Sequence, residues 1–256
     1  MVSLRGQGEE FLVQRSADSL AYGSTLWPAP HNWGWPPSPT LDQTPHEATL
    51  HGDTLCLAGP RDAAFGWQMR RKFLVWPDES RFTVWYEVEN LTDTVRAVAA
   101  WEVTRLPKGS EVFCRIDTQS MPYRALKGMK SELDVTGKYH LWVPASYDGP
   151  SQKVSYDGME PWIATQRGQA MLWRRSQPLT VDQFAPKAGE LEIYVDDNTD
   201  YIEVEIQGAY RSLAPGASAR LRVDWWLAPA PAQPDQVWAL VPSEQDSLLR
   251  DGGTRY

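Results

Sequence analysis

The chain has 256 residues, 42% of them apolar and 23% charged, with a net charge of −8 and a sequence pI near 5.1. An acidic balance with no basic stripe speaks against nucleic acid as a partner, since phosphates demand clustered Lys and Arg. No apolar run approaches the roughly 18–20 residues of a membrane helix, so no membrane contact is expected.

This length suits one large domain with a sizeable core. Helix-favouring runs of Ala, Leu, Glu and Lys are scarce, while Trp, Tyr, Val, Thr, Gly and Pro abound, the usage of strands and turns. The polar stretch Met1–Glu10 lacks the apolar centre of a signal peptide. As written, the chain therefore reads as cytoplasmic, or as periplasmic or secreted if a leading segment has been removed.

Next comes a Pro- and Trp-rich segment at 23–47, expected as a long ordered loop. Its centre runs Leu26-Trp27-Pro28-Ala29-Pro30-His31-Asn32-Trp33-Gly34-Trp35-Pro36-Pro37. Prolines fix φ and lower the entropy cost of holding such a loop open. Trp27, Trp33 and Trp35, with His31 and Asn32, suit stacking on sugar C–H faces and bonding to hydroxyls. Equally, the rings can be buried where the loop covers one end of the domain.

From about residue 48 to 228, period-two alternation recurs with turn residues between the runs. Strands are expected at Thr54–Ala58, Trp67–Trp76, Arg81–Glu89, Val95–Leu106, Glu111–Ile116 and Tyr139–Val143. Further strands follow at Pro161–Thr165, Ala170–Arg174, Leu191–Val195, Tyr201–Ile206 and Ala219–Leu227. With no long amphipathic helix, this predicts an all-β fold, a large antiparallel β-sandwich forming one domain over 1–256. An irregular tail is expected from about residue 229, with room for a short helix in Asp235–Leu249. Arg70, Arg71 and Lys72 alternate between faces and form no patch. Cys56 and Cys114 read as buried thiols or, alternatively, a disulfide. No paired Cys/His spacing indicates zinc. Asp196-Asp197-Asn198 resembles a cation-binding turn, though Asp and Asn are also ordinary turn residues. No metal or cofactor is expected.

Two strands carry candidate chemistry. In Tyr201–Gln207, alternation puts Tyr201, Glu203, Glu205 and Gln207 on one face and Ile202, Val204 and Ile206 toward the core. Two carboxylates two residues apart sit roughly 7 Å apart, which suits acid/base work across a sugar, or else a solvated strand face. In Ala100–Arg105, Trp101 and Arg105 share one face, and Glu102 and Thr104 the other. An Arg and a Trp side by side can grip and stack on a ligand, or form one cation–π pair. His46, His51 and His140 are scattered and read as surface or structural residues.

The same residues resemble the galactose mutarotase-like superfamily. Leu191-Glu192-Ile193-Tyr194-Val195 is similar to the strand on which aldose 1-epimerases carry a sugar-binding Gln. Glu205-Ile206-Gln207 resembles their Glu-Thr-Gln, whose Glu is the catalytic base. Leu213-Ala214-Pro215-Gly216 and the alternation of Arg220–Leu227 resemble the final turn and strand. Closer still is an uncharacterised bacterial family within the superfamily, matched in order by Leu26–Pro30, Trp101–Arg105, Trp162–Ala164 and Leu213–Gly216. The resemblance implies a β-supersandwich with a concave sugar-binding face. Where epimerases place a general-acid His on the central strand, this chain reads Ala99-Ala100-Trp101-Glu102-Val103. Their second His has no secure match near Phe65-Gly66.

The expectation is a carbohydrate-binding protein contacting a mono- or oligosaccharide through Trp27, Trp33, Trp35, Trp101, Arg105, Glu192, Tyr194, Glu203 and Gln207. If it is an enzyme, Glu205 is the base of an epimerase-like or lyase-like proton transfer, with His31 or Glu102 supplying the acid. Non-catalytic binding, or an assembly domain using the Trp-rich loop, are the alternatives.

Overall fold

The computed structural model describes residues 1, 3–14, 21–34, 38–117, 127–133, 138–147, 150–156, 159–196, 198–232 and 234–240. In chain order the strands are β1 (Arg5–Gly6), β2 (Glu9–Glu10), β3 (Ser24–Ala29), β4 (Glu47–His51), β5 (Thr54–Asp62) and β6 (Trp67–Trp76). Then follow β7 (Arg81–Asn90), β8 (Arg96–Pro107), β9 (Glu111–Asp117), β10 (Lys130–Leu133), β11 (Lys138–Val143) and β12 (Gln152–Tyr156). The last six are β13 (Met159–Arg167), β14 (Ala170–Arg175), β15 (Leu191–Val195), β16 (Tyr201–Gln207), β17 (Arg211–Leu213) and β18 (Ser218–Pro229). Among the described residues, helical turns are limited to α1 (Pro39–Asp42) and short 3-10 segments.

The strands build two large antiparallel sheets. One runs β10-β11-β9-β13-β14-β18-β7-β6-β5-β4; the other runs β12-β15-β16-β8-β17, with β3 beside β8. Alternation explains how they pack. Ile202, Val204 and Ile206 of β16 and Leu191, Ile193 and Val195 of β15 turn inward. There they meet Val84, Leu172, Val223 and Trp225 of the larger sheet in one apolar layer.

The strands expected from alternation are present, with Trp67–Trp76 and Leu191–Val195 at the expected bounds. One expectation needs correction. Segment 23–47 is not loop throughout, because Ser24–Ala29 forms β3 and pairs with β8, Trp27 lying opposite Trp101. Pro28 signals a loop locally, but among the described residues β3 pairs with β8 alone, and an edge strand tolerates a proline that cannot donate to a second neighbour. In the tail, where room for a short helix was expected, a 3-10 segment spans Pro234–Leu240. Its Val237 packs into a second apolar cluster with Phe113, Trp162, Trp173 and Trp226 on the outer face of the larger sheet. The rest of the expected terminal helix lies outside the described residues.

Cys56 and Cys114 are both free thiols. Cys114 is buried on β9, and burial pushes its thiol above the ordinary range. Cys56 is only half-buried, so the expectation of two buried thiols holds for one of them.

Strand β8 also directs a charge into the core. Glu102 is fully buried between the sheets, where its carboxylate pairs with Arg174 at 3.2 Å. Ser24 Oγ donates to it at 2.7 Å, and the Thr104 hydroxyl donates as well. Burial still pushes the Glu102 pKa above the usual carboxylate range, with Arg174 pulling it back. Replacing Arg174 with Met leaves this carboxylate buried without its cation. A loss of about 3–5 kcal/mol is expected by urea unfolding, most of it recovered in the double variant Glu102→Leu/Arg174→Met. An unchanged midpoint in the single variant would show that the pair does not hold the sheets together.

Candidate functional site

The outer face of the smaller sheet follows directly from strand register. Glu192 lies opposite Glu205, and Tyr194 opposite Glu203. Glu203 lies opposite Arg105, and Gln207 opposite Trp101. Lys153 of β12 pairs with Tyr194, and Ser155 with Glu192. Trp27 of β3 completes the row beside Trp101. Because strand side chains alternate, all these groups share the face turned away from the core.

The centre of this face is charged. Lys153 Nζ lies 2.6 Å from Glu192 Oε2 and 2.9 Å from Glu205 Oε2. It also sits 5.1 Å from the centroid of the Trp101 ring. Trp101 Nε1 donates to Glu205 Oε2 at 2.9 Å. Ser155 Oγ and the Gly189 N–H each donate to Glu192 Oε1 at 3.1 Å. The Glu205 side chain is 1% exposed and that of Glu192 4%, whereas Lys153 is 39% exposed. The lysine therefore closes two carboxylates off from solvent.

Electrostatics follow from that arrangement. Burial pushes the Glu205 pKa well above the ordinary carboxylate value; Lys153 draws it down, and Glu192 and Glu203 push it up. Burial disfavours the Lys153 ammonium, but Glu205 and Glu192 more than offset this and hold its pKa above the ordinary value. A proton at this centre is thus shared among groups in contact.

The aromatic residues form a wall beside it. Trp27 and Trp101 meet edge-on at 5.4 Å, and Trp27 and Trp33 at 5.5 Å. His31 stacks 4.2 Å from Trp33 and 5.8 Å from Trp101. Trp33 Nε1 donates to the Pro28 carbonyl at 3.1 Å, and Trp27 Nε1 to Asp42 Oδ1 at 3.0 Å. Burial, then the Lys153 charge, lowers the His31 pKa, so its imidazole is neutral at neutral pH. Trp27 and Trp101 are buried under this layer, Trp33 is half-buried and His31 is exposed. Trp27 and Trp101 are thus committed to packing, while Trp33 and His31 keep a face toward solvent.

Of the residues singled out from sequence, Glu205, Glu192, Trp101, Trp27, Trp33 and His31 converge. Arg105 is buried on the same face, donating to Glu203 at 2.8 Å with its guanidinium 5.0 Å from the Trp27 centroid. Gln207 is also buried there. Arg105 Nη2 and Gln207 Oε1 have no hydrogen-bond partner among the described residues. Tyr194 turns its hydroxyl to Asp196 Oδ2 at 2.8 Å. Asp196 also accepts from the Asn198 N–H and Ser151 Oγ, and these bonds hold its carboxyl below the ordinary range. Trp35 and Asp197 lie outside the described residues.

Glu102 does not join the cluster. It sits on the opposite face of β8, its charge committed to Arg174, because adjacent strand residues point to opposite sides. His46 contacts Arg71 at 3.0 Å and His140 lies 5.6 Å from Trp238, so both serve other parts of the fold.

Sequence reasoning missed Lys153. Its strand, Gln152–Tyr156, is short, yet Val154 and Tyr156 are buried and alternate with Lys153 and Ser155. That alternation was the available signal.

A family description, Domain of unknown function (DUF4380), matches residues 29–228. The sequence matches no curated protein. Among solved structures, a candidate mutarotase from Salmonella typhimurium is similar with a TM-score of 0.51 at 12% identity, covering 90% of this chain and 84% of that one. A galactose mutarotase-like protein from Clostridium acetobutylicum gives 0.50 at 8% identity, covering 86% of each chain. A TPR-domain containing protein from Parabacteroides distasonis gives 0.50 at 13% identity, covering 93% of this chain and 44% of that one. The fold is the galactose mutarotase-like β-sandwich.

Replacing Lys153 with Met removes the cation that draws the Glu205 pKa down. The folded-state pKa then rises further above its unfolded value. Such a group contributes stability below the unfolded pKa and loses it as pH rises through the folded one. Urea unfolding between about pH 5 and about pH 8 is expected to show a deficit for Lys153→Met that widens with pH, by about 1–2 kcal/mol given the partial exposure of Lys153. A deficit independent of pH would mean that Lys153 acts by packing alone.

Proposed function

This protein belongs to the DUF4380 family, and from the outer face of its smaller sheet we propose that it binds a carbohydrate. One observation carries this reading: Lys153 bridging Glu192 and Glu205 beside the Trp101 ring. Sugars offer hydroxyls that donate and accept, together with apolar C–H faces. A dense set of charged donors and acceptors against an aromatic wall answers both. The solvent-accessible groups of this face include His31, Ser155, the outer part of Lys153, and the half-buried Trp33, Tyr194 and Glu203. Lys153 and Arg105 lie against Glu192, Glu205 and Glu203, so cations do not outnumber carboxylates on this face. The near-balance of charge favours a neutral sugar over a phosphorylated one.

A second reading, proton transfer at Glu205, is favoured by the raised proton affinity of that carboxyl. Interconverting anomers needs an acid for the ring oxygen and a base for the C1 hydroxyl. In this reading Glu205 supplies the base, and His31 of the loop lies 5.8 Å from the Trp101 ring whose N–H bonds Glu205.

Titration of a panel of neutral mono- and oligosaccharides by calorimetry tests the first reading. Binding is expected with at least one of them, weakened about fivefold in Trp33→Ala through loss of stacking worth roughly 1 kcal/mol. No heat from any member of the panel would sink it. Polarimetry on freshly dissolved aldoses tests the second. A catalysed rate falling roughly 100-fold or more in Glu205→Gln is expected for a base. Wild-type rates equal to the uncatalysed reaction would leave binding alone.

A further inference from the structure

Strand β4 ends the ten-stranded sheet, and all five of its residues are exposed. Edge strands are normally blunted by Lys, Pro, a bulge or a covering element. The strand Glu47-Ala48-Thr49-Leu50-His51 carries no Lys and no Pro, and its register with β5 is unbroken. Leu50 is 71% exposed and adjoins Leu55 and then Phe73 across the sheet; Val75, 60% exposed, extends the same face. We propose that this edge is an interface with a second copy of the chain, formed by antiparallel pairing of β4 with itself about Thr49.

Backbone geometry sets which residues can pair. The two-residue turn Gly52–Asp53 closes the β4–β5 hairpin on His51 and Thr54. In such a hairpin the closing residues exchange both backbone hydrogen bonds, and bonded pairs then alternate. His51, Thr49 and Glu47 therefore commit their backbone groups to β5, while Leu50 and Ala48 turn theirs outward. With Thr49 on a twofold axis, Ala48 of one copy faces Leu50 of the other, and both outward residues of each strand are bonded. This register also brings Glu47 opposite His51 of the second copy, twice, so that an imidazole N–H meets a carboxylate. A slide of two residues in either direction loses that match. The Ala48 and Leu50 side chains of the two copies then adjoin, joining the apolar stripes that end at Leu55, Phe73 and Val75.

A single five-residue strand pair is a small interface, so a dissociation constant on the order of 10 μM is expected. Sedimentation equilibrium of the full chain over roughly 1–200 μM should show the 29.0 kDa monomer passing to twice that mass. Ala48→Pro removes an outward N–H without touching the hairpin, and should give monomer with an unchanged circular dichroism spectrum. Glu47→Lys should weaken the dimer about tenfold or more, and adding His51→Glu should restore it, since the charges are merely exchanged. Should Ala48→Pro misfold, the charge exchange decides alone. A wild-type monomer across the whole range overturns the proposal, whether the edge is free or covered by another segment. A dimer unmoved by Glu47→Lys also overturns it, since that dimer uses another surface.

Discussion

Two carboxylates face each other on neighbouring strands, almost without solvent, and one ammonium reconciles them. Removing Glu192 and Glu205 from water raises the free energy of their charged forms, and their mutual repulsion raises it again. Lys153 is the group that makes the arrangement affordable, and it comes from β12, the outermost strand of its sheet. The docking of β12 on β15 is therefore linked to the ionisation of a residue two strands away. Trp101 adds the link in the other direction. Its N–H satisfies Glu205, and its ring is fixed by Trp27 on β3 and by the His31–Trp33 turn beyond. Five strands and one loop thus converge on one carboxylate oxygen.

Tryptophan richness, which first suggested a binding face, divides into two populations. Trp162, Trp173 and Trp226 lie on the outer face of the larger sheet and are covered by the Pro234–Leu240 segment through Val237 and Trp238. These rings close a second apolar layer and need no ligand to account for them. Trp27 and Trp101 are buried on the smaller sheet, leaving Trp33 as the described ring of that wall with substantial exposure. A binding role therefore rests on fewer rings than composition suggested, and more on the charged centre.

The fold was legible because a strand with one buried face writes its orientation into every second residue. Tyr201–Gln207 is the clearest case: Ile202, Val204 and Ile206 enter the core as alternation required. Alternation also separated Trp101 from Glu102 correctly. What it could not supply was which face of β8 held the partners, so Glu102 passed for a candidate acid until Arg174 was found beside it. Pairing between distant segments was equally silent. Glu192 and Glu205 are 13 positions apart and Lys153 is farther still, so only the strand order brings them together. β3 was hidden because Pro28 signals a loop locally, while an edge position accepts it.

Trp101, a side chain that does not ionise, is the central-strand partner of Glu205 and limits what that carboxyl can do. An indole N–H donates a hydrogen bond but is not a proton source near neutral pH, so it orients Glu205 without exchanging protons with it. The ionisable groups in direct contact with Glu205 are then Lys153 and Glu192. Both belong to the same sheet face, whereas anomer interconversion calls for an acid placed at the ring oxygen, apart from the base. His31 is an ionisable side chain of this wall, held against Trp33 and neutral because burial and Lys153 disfavour its charge. A neutral imidazole offers a hydrogen bond more readily than a proton. On the proposed carbohydrate reading, this geometry favours recognition, and turnover would require His31 to gain a proton once a ligand separates it from Lys153.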